Sequence, residues 1–176
     1  AVGLITVSGA WTGTGAVTIS SSANGVTLNN DVTLNGSAKN LVVQAKTADN
    51  AGTITLAHAT QSLAASGDIT LTGHTMASTQ ATITANTALA ITATGTFTGT
   101  AGTVALVSTT STINLDANLV TATSGDITVT SSGGAFTIAD TKQITSIGAL
   151  TINCQSVTSV GTTVTSANAM AITGDW

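Results

Sequence analysis

The sequence predicts an all-β protein, a single parallel β-solenoid of about seven to eight coils, with about 23 residues per coil. Three observations point there. The first is a repeat in the second half of the chain. Residues 82–104, 105–127, 128–150 and 151–173 align in columns that read Ile83, Leu106, Val129, Ile152 and Gly102, Gly125, Gly148. A third column reads Val104, Ile127, Leu150 and breaks at Thr173, as the glycine column breaks at Ala171. The second is strict alternation of apolar residues with Thr or Ser, the period-2 mark of a strand with one face buried. The third is composition: no Pro, 18 Gly, and a predominance of small and β-branched side chains. Pro would remove a ladder donor from a central strand, whereas Thr, Val and Ile favour strands.

The strands follow in order. Alternation marks 17–20, 26–29, 32–35, 41–44, 54–57 and 69–72 in the first half. It marks 82–85, 89–93, 104–108, 113–116, 127–130, 136–139, 150–153, 157–160, 164–165 and 169–173 in the second. The centres at 91, 105, 114, 128, 137 and 151 step by 14 and 9 in turn, as two interleaved strand series would. A third short strand per coil is expected around Phe97, Val120, Ile144 and Val164. Ser-Gly-Asp at 66–68 and 124–126, Ala-Asn-Gly at 23–25 and Ser-Gly-Gly at 132–134 supply the turns between strands.

The first half keeps a looser period. Val32, Ile54 and Met76 step by 22, yet Gly67-Asp68 and Gly125-Asp126 lie 58 apart. Insertions are expected at 45–52 and 58–65, the latter suited to a helical turn. Composition hardly shifts along the chain, so residues 1–176 read as one domain. Residues 1–10 read as a strand that caps the solenoid or exchanges with a neighbour. The competing fold is a β-sandwich of irregular hairpins, whose strands are also evenly spaced. It explains neither the columns nor a core with only Phe97, Phe136, Trp11 and Trp176 as aromatics.

Charge narrows the function classes. Charged residues make up 6% of the chain, three Lys and seven Asp with net charge −4, against roughly a quarter in ordinary globular proteins. Lys39, Lys46 and Lys142 are scattered, so no basic face exists to neutralise phosphates, and a nucleic-acid partner is not expected. No apolar run reaches the 18 or so residues of a membrane helix, so insertion is not expected either. The start at Ala1 instead of Met fits a processed N-terminus and, with the composition, an extracellular or cell-surface protein.

Chemistry-bearing residues are sparse. No catalytic set is predicted: Arg and Glu are absent, and no Gly-x-Ser-x-Gly elbow occurs. His58 and His74 lack metal-ligand spacing, and no cofactor is expected. Asp116 and Asp140, 24 apart and so about one coil, are the weak candidates for a stacked cation pair; two solvated turn carboxylates is the competing reading. Cys154, alone, shares a column with Ala85, Ser108 and Ser131 and reads as a buried filler of a small-residue slot. Asn35-Gly36-Ser37 is a glycosylation sequon at Asn35.

The stretches Gly-Asp-Ile-Thr-Leu-Thr-Gly at 67–73 and Gly-Asp-Ile-Thr-Val-Thr at 125–130 resemble the repeats of filamentous-haemagglutinin-type adhesins and related bacterial surface β-helix proteins. The resemblance implies a right-handed parallel β-helix, secretion, and a surface or adhesive role. Those adhesins are far longer and have shorter coils.

The expected function is a non-enzymatic extracellular structural protein that self-assembles, end to end or by strand addition, into a filament, sheath or surface layer. Its partner is then itself. The residues expected to mediate assembly are Leu4, Ile5, Val7, Trp11 and Trp176, near the two chain ends. The alternatives are an adhesin or stalk binding surface glycans, and an ice-binding protein using Thr ladders. Thr-x-Thr pairs begin at 53, 70, 82, 92, 121, 128 and 163, but at a 23-residue period they do not share one column.

Overall fold

The computed structural model describes residues 3–46 and 51–175. Nineteen strands and no helix occur among them, and every pairing between strands is parallel. The fold is a parallel β-solenoid of about seven turns with coils about 22 residues apart. A sandwich would need antiparallel hairpins, and the described residues form none.

Each coil contributes to three faces. The first face stacks β1 (Ile5–Val7), β4 (Val26–Leu28), β7 (Thr53–Leu56), β10 (Thr75–Ser78), the ends of β12 (Leu89–Gly99) and β14 (Ile113–Thr121), β16 (Gln143–Ser146) and β18 (Thr163–Ser166). The second stacks β2 (Trp11–Gly13), β5 (Val32–Leu34), β8 (Gln61–Ala65), β11 (Ala81–Ala85), β13 (Val104–Ser108), the starts of β15 (Ile127–Ile138) and β17 (Leu150–Thr158), and β19 (Met170–Asp175). The third stacks β3 (Val17–Ser21), β6 (Leu41–Ala45), β9 (Ile69–Gly73), the starts of β12 and β14, and the ends of β15 and β17. Strands β12, β14, β15 and β17 turn a corner without a break, and register slips between Thr92 and Thr96 and between Ser131 and Ala135 take up the bend.

The core is the stack of inward files. Ile83, Leu106, Val129 and Ile152 sit directly above one another, as the repeat predicts, and all are fully buried. On the first face Phe97 lies between Met76 and Leu119; on the third Phe136 lies between Ile113 and Val157. The last inward position of many strands, at the corner, is small. One such file reads Ala85, Ser108, Ser131, Cys154, with Cys154 buried as expected. The buried hydroxyls meet corner carbonyls: Ser131 Oγ donates to Ser111 O (2.7 Å), Ser146 Oγ to Ala149 O (2.9 Å), and Ser108 Oγ to Thr87 O. Hydroxyls suit these slots because the corner backbone carries carbonyls that no ladder satisfies.

Several expectations need correction. The coil step varies about its mean, as the looser first-half period implies. Val26 pairs with Ile54, 28 on, and Val32 with Leu63, 31 on, while Ile152 pairs with Ile172, only 20 on. The short last coil explains the breaks at Ala171 and Thr173: a 23-residue step overshoots, and Leu150 and Ile152 meet Met170 and Ile172 instead. Val32 belongs to the second face, and Ile54 and Met76 to the first. The third-strand file runs Phe97, Leu119, Ile144, Val164, so Leu119 holds the inward place given to Val120. Residues 58–65 contain a strand, β8, and no helical turn. The two Gly-Asp-Ile-Thr stretches fall on different faces, Ile69 on the third and Ile127 on the second, so their spacing cannot be a whole number of coils.

Candidate assembly ends and outward faces

At both ends the inward files lose their cover. In the last coil Val164 and Ile172 are only partly buried and Met170 is 45% exposed. Their counterparts one coil back, Ile144, Ile152 and Leu150, are fully buried. In the first coil Ile5, Val7 and Val17 are partly buried, Leu4 is 63% exposed and Trp11 is 39% exposed, above fully buried Val26, Leu28, Val32 and Leu41. Four of the predicted assembly residues, Leu4, Ile5, Val7 and Trp11, are thus grouped on one end coil, with β1 paired to β4 of its own chain. Trp176 lies outside the described residues. Val160, 64% exposed, adds apolar surface at the turn into β18.

Among the described residues, strands β18 and β19 are paired on one side only, to β16 and β17, and β1 and β2 only to β4 and β5. These free edges carry neither Lys nor Pro, the side chains that commonly block strand addition.

The carboxylates have structural work at the corners. Asp31 Oδ1 accepts from Ser62 N (2.8 Å), Asp68 Oδ1 from Ala88 N (3.0 Å), and Asp126 Oδ1 from Ala149 N (2.7 Å). Asn40 Oδ1 accepts from Asp68 N (2.9 Å) and Asn118 Oδ1 from Gln143 N (3.0 Å). Each ties one coil to the next where the ladder is interrupted by a turn. The Thr87 hydroxyl and the Ala88 amide hold the Asp68 carboxyl below its ordinary value of 3.8, against a smaller opposing push from burial. A lowered native value means that Asp68 stabilises the fold above pH ~4 and that this contribution fades as acid protonates it. Asp68→Asn is therefore expected to flatten the stability profile below pH ~4. Asp68→Ala should cost about 1 kcal/mol near neutral pH, below the usual range for a charged hydrogen bond because the site is partly solvated. Urea titrations across pH check both.

The remaining sequence candidates are dispersed. Asp116 Oδ1 pairs with Lys142 Nζ at 3.1 Å, and Asp140 sits in the exposed turn after β15. Among the described residues no three His, Cys, Asp or Glu side chains come together. His74 Nδ1 lies 2.6 Å from Thr94 Oγ1, and His58 Nδ1 accepts from Thr60 N. Burial pushes the Cys154 thiol up. Asn35 and Ser37 of the sequon are exposed in the turn after β5, where Gly36 takes a φ of 102°. A cleft of about 360 Å³ lies between Leu4, Asn24, Lys46 and Thr53; Lys46 is its one ionisable lining residue among those described.

The outward files hold what sequence spacing hides. On the first face one file runs Thr6, Thr27, Thr55, Ala77, Thr98, then Val120, Thr145 and Thr165. Beside it run Thr53, Thr75, Thr96, Asn118, Gln143 and Thr163, with the Thr53 and Thr75 hydroxyls 2.9 Å apart. The pairs beginning at 82 and 128 lie on the second face and the pair beginning at 70 on the third.

No protein-family model, curated protein or solved structure matches the chain. Among the described residues no helix is long and apolar enough to cross a membrane. The assignment of function therefore rests on the solenoid, its ends and its faces.

Proposed function

We propose that the chain is a non-enzymatic, extracellular structural solenoid that polymerises by stacking its end coils, giving a filament, sheath or surface layer. The observation that carries this is the loss of cover at both ends: Trp11 and Met170 are exposed, and Ile5, Val164 and Ile172 only partly buried, as the continuations of files that are buried in every coil between. A stacked coil would bury that apolar surface and pair the free edges in one step. Contacts of this heterologous kind that do not close extend into fibres.

Sedimentation velocity and negative-stain microscopy over a concentration series test it. Filaments or growing oligomers are expected, and a single small species at every concentration would overturn the proposal. Because the end coils offer few ion pairs, assemblies should survive about 1 M NaCl, where surface electrostatics are screened out. Met170→Lys should abolish or sharply reduce assembly while leaving the circular-dichroism spectrum unchanged, since the side chain is at the surface.

One observation favours a second activity, ice binding: the two Thr files on the first face. Outward Thr side chains repeat at about 4.8 Å between coils and about 6.6 Å along a strand, a spacing commensurate with ordered water. β-branching limits their rotamers. Thermal hysteresis or ice shaping that is lost in Thr75→Lys would support this reading; their absence in the wild type would remove it.

A further inference from the structure

Resting on the assembly proposed above, we infer that the partner at each end is a second copy docked head to tail in core register. Ile5 of one copy sits over Val164 of the next, and Trp11 over Ile172. Three features of the coil lead there.

The first is strand direction. Every ladder among the described residues is parallel, so a new coil continues the pattern only if its strands run the same way as those of β18 and β19. A two-fold contact, tail to tail or head to head, would reverse them.

The second is the order of the faces. A two-fold axis across the solenoid places one face on its own kind and exchanges the other two. The inward files would then fail to meet. A translation along the axis brings all three faces onto their like. The first-face file that starts at Ile5 ends at Val164, and the second-face file that starts at Trp11 ends at Ile172. Translation therefore joins each file to itself.

The third is side-chain size. Met170 projects, 45% exposed, from the file two residues before Ile172. Two residues before Trp11 stands Gly9, with nothing within 4 Å of the place a Cβ would occupy. Under head-to-tail register the protruding Met170 faces that open position. In a tail-to-tail contact no such vacancy opposes it.

Cysteine pairing reads the register directly. In a Cys154→Ser background, which matches the Ser131 below it, Thr6→Cys and Thr165→Cys are introduced on the outward side of the first face. Both positions are exposed, and in the inferred joint they are neighbours one coil apart, within disulfide reach. The double variant is expected to form a ladder of covalent oligomers on mild oxidation, and a mixture of the two single variants a cross-linked dimer. Neither single variant should cross-link alone. Dimers from either single variant would overturn head-to-tail polarity while leaving assembly intact. Assembly with no cross-link in any combination would overturn the register. Sedimentation as a monomer throughout would remove the assembly reading itself.

Discussion

Truncating Phe97 to alanine is expected to destabilise the solenoid by about 3–5 kcal/mol, the range for deleting a large buried aromatic. Phe97 is fully buried on the first face, between Met76 below and Leu119 above. The site cannot shrink around the loss. The distance between coils is held by backbone hydrogen bonds on all three faces, so the neighbouring side chains cannot close in by backbone movement, and the cavity stays largely open. Phe97→Leu, which matches the aliphatic side chains of the rest of the file, should recover more than half of the loss. Urea denaturation followed by circular dichroism measures both variants. In a solenoid each coil is stabilised by its two neighbours, so the alanine variant should also unfold less cooperatively, and amide exchange should rise first in β10, β12 and β14. A cost below about 1 kcal/mol would show that this file is not a tightly packed core.

The second large effect belongs to Gly125. Its φ of 110° lies in the left-handed region that side-chain-bearing residues avoid. A Cβ there would also press into the backbone of Gly102, one coil away, against its carbonyl oxygen. On the other side Gly125 O accepts from Gly148 N at 2.9 Å. The residue is thus sandwiched between backbones that ladders hold in place. Gly125→Ala should cost roughly 3 kcal/mol or more, combining an unfavourable φ with an overlap that cannot relax. Gly15→Ala is the matched control: nothing lies within 4 Å of its Cβ position, and the change should stay within about 0.5 kcal/mol. Similar stabilities for the two variants would mean that the glycine column tolerates side chains.

Much of the fold is legible before any coordinates. Ile83, Leu106, Val129 and Ile152 share a file because four consecutive second-face strands happen to step by 23. Where steps vary, periodicity fails for a physical reason: strands must keep register, but turns are free to differ in length. Val32 and Ile54 differ by 22 and still lie on different faces, since the second face is reached again only 31 residues on, at Leu63. The same variability scattered the first-face Thr files across the sequence. Of the residues proposed for assembly, Leu4, Ile5, Val7 and Trp11 could be picked out as apolar strand residues near a chain end. Met170 could not, because only the loss of an overlying coil distinguishes it from the buried Leu150 it stacks on. The carboxylate ties were half visible: Gly-Asp before a strand marks a turn, but the amide that Asp68 or Asp126 meets lies 20 or more residues away.

The uneven coils have one further consequence. Extra residues at 35–40 leave the inward files of neighbouring coils in register, since Leu34 meets Ala65 before them and Leu41 meets Ile69 after them. Corners are therefore sites where foreign peptide can be grafted without disturbing the rod. A series of such grafts along one edge would present epitopes at regular intervals of about 4.8 Å per coil, turning the molecule into a ruler for displayed sequences.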